Sequence, residues 1–204
     1  MLVEKRLLLP STEVHRALPI NIRNGDEIYF QHEYKKIFDP VHLHQLINVN
    51  VSPEGVIFNN FKIHERSLIN GSEIPKYSAR YLLYNYLKRK KIKLDKSEKY
   101  ILAFSEWSSG YFHWMCDTLP RLILIKELLP EYTLLLPQAY SEIAFIRETL
   151  KLFTIKKILG LHTHAIAALQ KPEANTSPSL IPIALQTLNG LQKSSNLSIM
   201  THRL

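Results

Sequence analysis

The apolar positions of the chain fall into short runs of strand length and longer stretches of helical length. Tyr100–Phe104 and Tyr132–Leu136 are nearly continuous apolar runs of the length a buried strand needs. A small polar stretch, Ser105–Gly110, separates the first run from an apolar-rich segment, Tyr111–Leu129, long enough to be the crossover helix of a βαβ unit. Upstream, Ile47, Val49 and Val51 alternate with polar residues, and Gly55–Phe58 and Phe61–Ile63 follow across Asn59-Asn60. That order predicts a small antiparallel meander. Glu27–Gln31 is a further strand candidate, while residues 1–26, with Pro10, Pro19 and Asn24-Gly25, read as an irregular lead-in.

Tyr77–Leu94 has the mixed apolar face of a helix, and the run Lys88-Arg89-Lys90-Lys91 suits the negative end of its dipole. Ser141 is placed to cap a helix carrying Ile143, Phe145, Ile146, Leu150 and Phe153, with Ala165–Leu169 as the next strand. Strand and helix thus alternate, which predicts an α/β fold with a parallel, doubly wound sheet behind the meander. Ligands of such sheets bind where strands end and helices begin, here Ser105–Asp117. Residues 171–179 read as a linker, followed by a short helix from Ile181 to about Gln192 with an apolar stripe at Ile181, Leu185, Leu188 and Leu191.

Composition changes this picture only modestly. A chain of 204 residues with 46% hydrophobic content can build a core. Its formal charge of +8 and pI near 9.5 suit anionic partners, among which a nucleotide, a lipid headgroup and RNA all qualify. The single cysteine, Cys116, excludes an intramolecular disulfide and fits a reducing, cytoplasmic compartment. With only Leu7–Leu9 as an early apolar run, and no long uncharged apolar window, export and membrane spanning are not expected. Membrane association would be peripheral, at the inner face.

Candidate chemistry concentrates at the start of the crossover helix. His113, Asp117 and Arg121 are spaced four apart, so a helix stacks a base, an acid and a cation on one side, with Pro120 expected to kink the column. On local residues alone, a paired structural histidine and aspartate at a helix start outranks a catalytic pair. Trp107 and Trp114 read as core or rim packing rather than a sugar platform, and Cys116 as inert packing. His162-Thr163-His164 lacks an acidic or cysteine third ligand and reads as surface histidines, so no metal site is expected. Walker, Gly-x-Gly-x-x-Gly, Gly-x-Ser-x-Gly and zinc-finger patterns are missing from the sequence.

The string Gly110-Tyr-Phe-His-Trp-Met-Cys-Asp-Thr-Leu-Pro-Arg121 resembles the signature of glycosyltransferase family 61, which includes capsular polysaccharide biosynthesis proteins. Ala17–Ile20, Leu46–Val51, Gly55–Phe58 and Glu65–Leu68 are similar to that family's N-terminal part, so the resemblance covers most of residues 15–170. It implies a GT-B architecture with a Rossmann-like parallel sheet and inverting transfer of a sugar from a nucleotide-sugar to an acceptor hydroxyl. By that resemblance Asp117 would be the general base, His113 would orient it or the acceptor, and Arg121 would fix the carboxylate or meet phosphate. The expected organisation is a lead-in and meander over residues 1–75, an acceptor-side α/β domain over 76–170, and over 171–204 a linker and the start of a donor domain that the chain lacks. No cofactor is implied beyond the nucleotide-sugar substrate. The partners implied are a glycan or lipid-linked saccharide acceptor, and the nucleotide-sugar once a donor domain is supplied; nucleic acid is not expected. The competing reading is a noncatalytic module or degenerate remnant that holds an anionic surface through the basic run at Lys88–Lys93.

Overall fold

The computed structural model describes residues 2–68, 76–169 and 181–185. In chain order the strands are β1 (Leu2–Leu9), β2 (Thr12–His15), β3 (Lys35–Phe38), β4 (Val41–Leu46), β5 (Val49–Val51), β6 (Ile57–Asn59), β7 (Lys62–Ile63), β8 (Lys90–Lys93), β9 (Tyr100–Leu102), β10 (Thr133–Pro137), β11 (Lys157–Leu161), β12 (Ala165–Leu169) and β13 (Ile181–Leu185). The helices are α1 (Glu27–Tyr34), α2 (Ala79–Leu87), α3 (Tyr111–His113), α4 (Leu119–Leu124) and α5 (Ala144–Leu150), with a π-helical turn over Trp114–Thr118 between α3 and α4.

Two larger sheets carry the fold. One runs β1-β4-β13-β9-β10-β11, the other β7-β6-β5-β12-β8, and β2 and β3 form a separate ribbon. The βαβ unit is present: β9 and β10 pair in parallel, Tyr100 opposite Thr133, with α3, the π turn and α4 between them. The meander is present too, with β5, β6 and β7 paired antiparallel. Its last turn closes through Asn60 and Phe61, both at positive φ (46° and 59°), the backbone that a two-residue hairpin loop requires.

Among the described residues the doubly wound parallel sheet is not formed, and they show no Rossmann-like core. In the larger sheet the parallel pairs are β9 with β10, β10 with β11 and a single pair between β13 and β9, while β4 runs antiparallel to both β1 and β13. Ala165–Leu169 is a strand, as its sequence predicts, but it leaves for the other sheet, antiparallel to β5 and parallel to β8. Connection length explains this. A parallel neighbour needs a crossover of about a dozen residues, and only His162, Thr163 and His164 separate β11 from β12. The strand that closes the second crossover is instead β11, whose Gly160 lets it press against the segment after β10. A Cβ added at Gly160 would lie 3.2 Å from the Gln138 Cβ.

Other expectations are corrected by local bonding. Most of the described lead-in before Thr12 is not irregular, because β1 pairs along β4. Glu27–Gln31 is helical, since the Glu27 carboxylate accepts the Gly25 N–H at 2.8 Å and the Tyr29 N–H bonds the Asp26 carbonyl, closing a first turn. Tyr77–Leu94 divides into α2 and β8, so Lys90 and Lys91 decorate an edge strand instead of a helix end. Lysines on an edge discourage further strands from adding to it. Ser141 does not cap α5; its hydroxyl donates to the Gln138 carbonyl at 2.9 Å. Ile181–Leu185 is a strand that lies between β4 and β9; the rest of that predicted helix and the 171–179 linker lie outside the described residues.

The main core packs both sheets' apolar faces around Leu43, Leu46, Ile101, Trp114, Leu122, Leu134 and Leu135. Trp114 is wholly buried, and its indole N–H donates to the Thr149 hydroxyl at 2.7 Å. That bond ties the crossover helix to α5 and so fixes the element on which the candidate chemistry stands. Among the described residues no helix is long and apolar enough to cross a membrane.

Candidate functional site

The loop leaving β9 is stiffened from within. The Ser105 N–H donates to the Ser108 hydroxyl at 2.8 Å, and Ser108 bonds the Thr118 hydroxyl at 2.7 Å. Ser108 and Thr118 are fully buried, so the loop is fastened to the helix it feeds. Tyr77 donates its hydroxyl to Glu106, and Lys76 pairs with the same carboxylate, holding the loop's outer side.

The helix then widens. In the π turn, the Leu119 N–H reaches the Trp114 carbonyl five residues back. The wider turn precedes Pro120, which stands in the first turn of α4, where its missing N–H leaves no bond unmade. Single π turns inside α-helices are frequent at functional sites.

His113 and Asp117 meet there: the imidazole Nδ1 and carboxylate Oδ2 are 2.8 Å apart. Their side chains are 24% and 12% exposed, enough for a ligand to touch the pair from one side. Arg121 is brought beneath them but does not complete an ion-paired column. It is 5% exposed, its Nη1 donates to the Ala103 carbonyl at 3.3 Å, and its Nε has no hydrogen-bond partner among the described residues. Burial pulls its pKa down from the usual guanidinium range, and the Asp117 charge partly restores it. Asp117 therefore carries an imidazole partner at hydrogen-bond distance and a buried cation acting through space.

Exposed aromatic rings surround the pair. Trp107 packs edge-on against His113 with ring centroids 4.9 Å apart, and Phe112 does so at 5.5 Å. Trp107, Tyr111 and Phe112 are 41%, 62% and 67% exposed. Trp114 is core, as its sequence context predicts, but Trp107 keeps an open face. Cys116 is exposed, so it is not a packing residue.

Two clefts lie nearby in sequence but do not include the pair. One, of about 410 Å³, opens at the carboxyl ends of β10 and β11 and is lined in part by Pro137, Tyr140, Gly160 and His162. Tyr140, on its wall, packs edge-on against Trp114 at 6.2 Å, and burial pushes its pKa up to about 12. The other, of about 480 Å³, is more apolar and is lined by residues such as Leu150, Phe153 and Ile158. His162 and His164 are exposed in the turn before β12, and among the described residues no three His, Cys, Asp or Glu side chains are grouped to hold a metal.

Sequence reasoning reached His113 and Asp117 through their spacing. It missed Tyr140, which stands in the link between β10 and α5, and Gly160 in β11; both line the cleft at the ends of β10 and β11, and neither lies in a motif. No family model, no curated protein and no solved structure matches the chain. The reading of its chemistry accordingly rests on the site.

Proposed function

We propose that this chain carries the acceptor-side site of an inverting sugar transfer, in which Asp117 removes the proton from an acceptor hydroxyl. The observation that carries the reading is the partly exposed His113–Asp117 contact at 2.8 Å, flanked by open aromatic faces. A carboxylate held by an imidazole is oriented for proton transfer, and aromatic faces suit the C–H faces of a saccharide ring.

In this reaction the acceptor oxygen attacks the anomeric carbon as Asp117 takes its proton. The bond from that carbon to the leaving diphosphate breaks, and the diphosphate departs with the electron pair. His113 holds the carboxylate in the attacking orientation. Arg121, buried with a nitrogen that has no hydrogen-bond partner among the described residues, places a positive charge close to the Asp117 carboxylate. The donor is a nucleotide-sugar, and the acceptor a glycan or lipid-linked saccharide.

Release of nucleoside diphosphate from a nucleotide-sugar, dependent on a saccharide acceptor, tests this. It is measured with the chain alone and with a separately supplied donor-binding domain. Turnover in either arm that collapses in Asp117→Asn supports the reading; normal turnover in that variant removes Asp117 as the base.

A second reading has its own observation. Lys90, Lys91 and Lys93 are exposed on edge strand β8, a basic strip able to hold an anionic surface. Binding through it would weaken steeply with salt and ignore Asp117→Asn.

A further inference from the structure

Three histidines gather at the meander end of the larger sheet, sharing no residue with the His113–Asp117 pair. His42 and His44 alternate onto one face of β4, with ring centroids 6.3 Å apart, and the His64 ring lies 5.6 Å from that of His44. His44 is only 7% exposed. Its Nδ1 and the Nε2 of His64 are buried, and neither has a hydrogen-bond partner among the described residues. Two buried imidazole nitrogens left open side by side are costly unless something else bonds them.

The charges around them say what that something is. Lys5 stands opposite His44 in the β1–β4 pairing and so shares its face. Arg66 follows His64 by two residues, and both cations act on His44 through space, as do His42 and His64. From the β7 side, Glu65 is the carboxylate that acts on His64. β13, which flanks β4, contributes no ionisable residue in Ile181–Leu185. A metal cation would be repelled by Lys5 and Arg66, whereas an oxyanion would be drawn in by them and would accept from the imidazole N–H groups.

We propose that His44 and His64, with His42, Lys5 and Arg66 around them, form a binding site for a phosphoryl group. Without the anion, burial and the neighbouring positive charges hold His44 down to about 4, and burial lowers His64 as well. A bound phosphate reverses the sign of the local field and raises both. The proposal does not depend on the sugar-transfer reading.

Side-chain NMR of the imidazole nitrogens in the whole chain, titrated with inorganic phosphate against a chloride control of equal ionic strength, is the test. The His44 and His64 signals should move saturably with phosphate and not with chloride, and the titration midpoint of His44 should rise. Lys5→Gln and Arg66→Gln, both at exposed positions, should each weaken binding roughly two- to fivefold and, by removing a positive charge that acts on His44, raise its phosphate-free titration midpoint slightly. Pelleting with phosphatidylcholine vesicles, with and without phosphatidic acid, identifies the source. Pelleting that requires phosphatidic acid and is competed by free phosphate places the group on a lipid; saturable phosphate binding without pelleting places it in solution. Histidine signals that ignore phosphate, move equally with chloride, or respond equally in the Lys5→Gln, Arg66→Gln double variant would mean that water alone occupies the pair, and the proposal would fall.

Discussion

Two clusters of charged side chains in this molecule contain the same kinds of groups and are finished differently. Around Glu54 the carboxylate is answered from several sides, although the buried Arg89 Nε has no hydrogen-bond partner among the described residues. Arg89 grips the carboxylate with both terminal nitrogens, Nη1 donating to Oε2 at 2.8 Å; Tyr81 donates to the same carboxylate at 3.0 Å; and Asn85 accepts from Arg89 at 2.9 Å. Burial resists ionisation of Glu54, but Arg89 and Ser52 overcome it and hold its pKa at about 2. Around Asp117 the answering is partial: one imidazole, a cation that does not bond it, and an open side. The Glu54 network fixes the turn before β6 against α2, and its carboxylate is taken up by Arg89 and Tyr81. The Asp117 carboxylate keeps an open side.

The sharpest way to break this contrast is to neutralise each carboxylate in turn. Asp117→Asn should cut turnover by about 10² to 10⁴-fold, the range for a lost proton-transfer group, with the melting temperature nearly unchanged. Glu54→Gln should do the reverse. Removing one partner of a largely buried pair costs about 3 kcal/mol. That lowers the melting temperature by very roughly 6–12 °C in a chain of this size and leaves turnover per folded molecule intact. Thermal unfolding and activity measured on the same samples separate the two outcomes, and a result with both effects in one variant would merge the clusters.

Thr149→Val probes the scaffold beneath the site. It removes the acceptor of the Trp114 indole, leaving a buried N–H unanswered, and should cost about 1–3 kcal/mol in denaturant unfolding. Mild acid probes His44. Its folded pKa of about 4 lies below the ordinary 6.5, so the unfolded chain binds more protons between those values. Stability should therefore fall as pH drops from about 6.5 to about 4, and His44→Phe should flatten that part of the profile. The Glu54 contribution is present above the ordinary 4.5 and is lost as pH falls toward about 2, so Glu54→Gln alters the profile only at the lower pH. The smallest effect is expected at β8, where Lys90→Gln should change stability by no more than about 0.5 kcal/mol.

How far the sequence disclosed this arrangement follows from which interactions are local. Tyr100–Phe104 and Tyr132–Leu136 announced buried strands because their apolar runs are nearly continuous, and β5 to β7 announced a meander through alternation and turn residues. His113 and Asp117 were legible because helical spacing alone brings residues four apart together. Sheet order was not legible, since it was decided by connection length at His162–His164 and by the insertion of Ile181–Leu185 between β4 and β9. The Glu27–Tyr34 helix was concealed by Ile28, Tyr29 and Phe30, apolar residues that look like strand core yet are 65%, 72% and 39% exposed. The incomplete bonding of Arg121 was hidden too: its four-residue spacing from Asp117 predicts a partnership, whereas the π turn and burial send its Nη1 to the Ala103 carbonyl.

The central claim is that the partial bonding at Asp117 serves proton transfer. Acceptor-dependent release of nucleoside diphosphate from a nucleotide-sugar, compared between the unmodified chain and Asp117→Asn at equal folded concentration, tests it most directly. The account predicts turnover for the first, with the donor-binding domain supplied where needed, and at least about a hundredfold less for the second at similar acceptor KM. Equal turnover in the two proteins, or none from the unmodified chain in either arm, would contradict it.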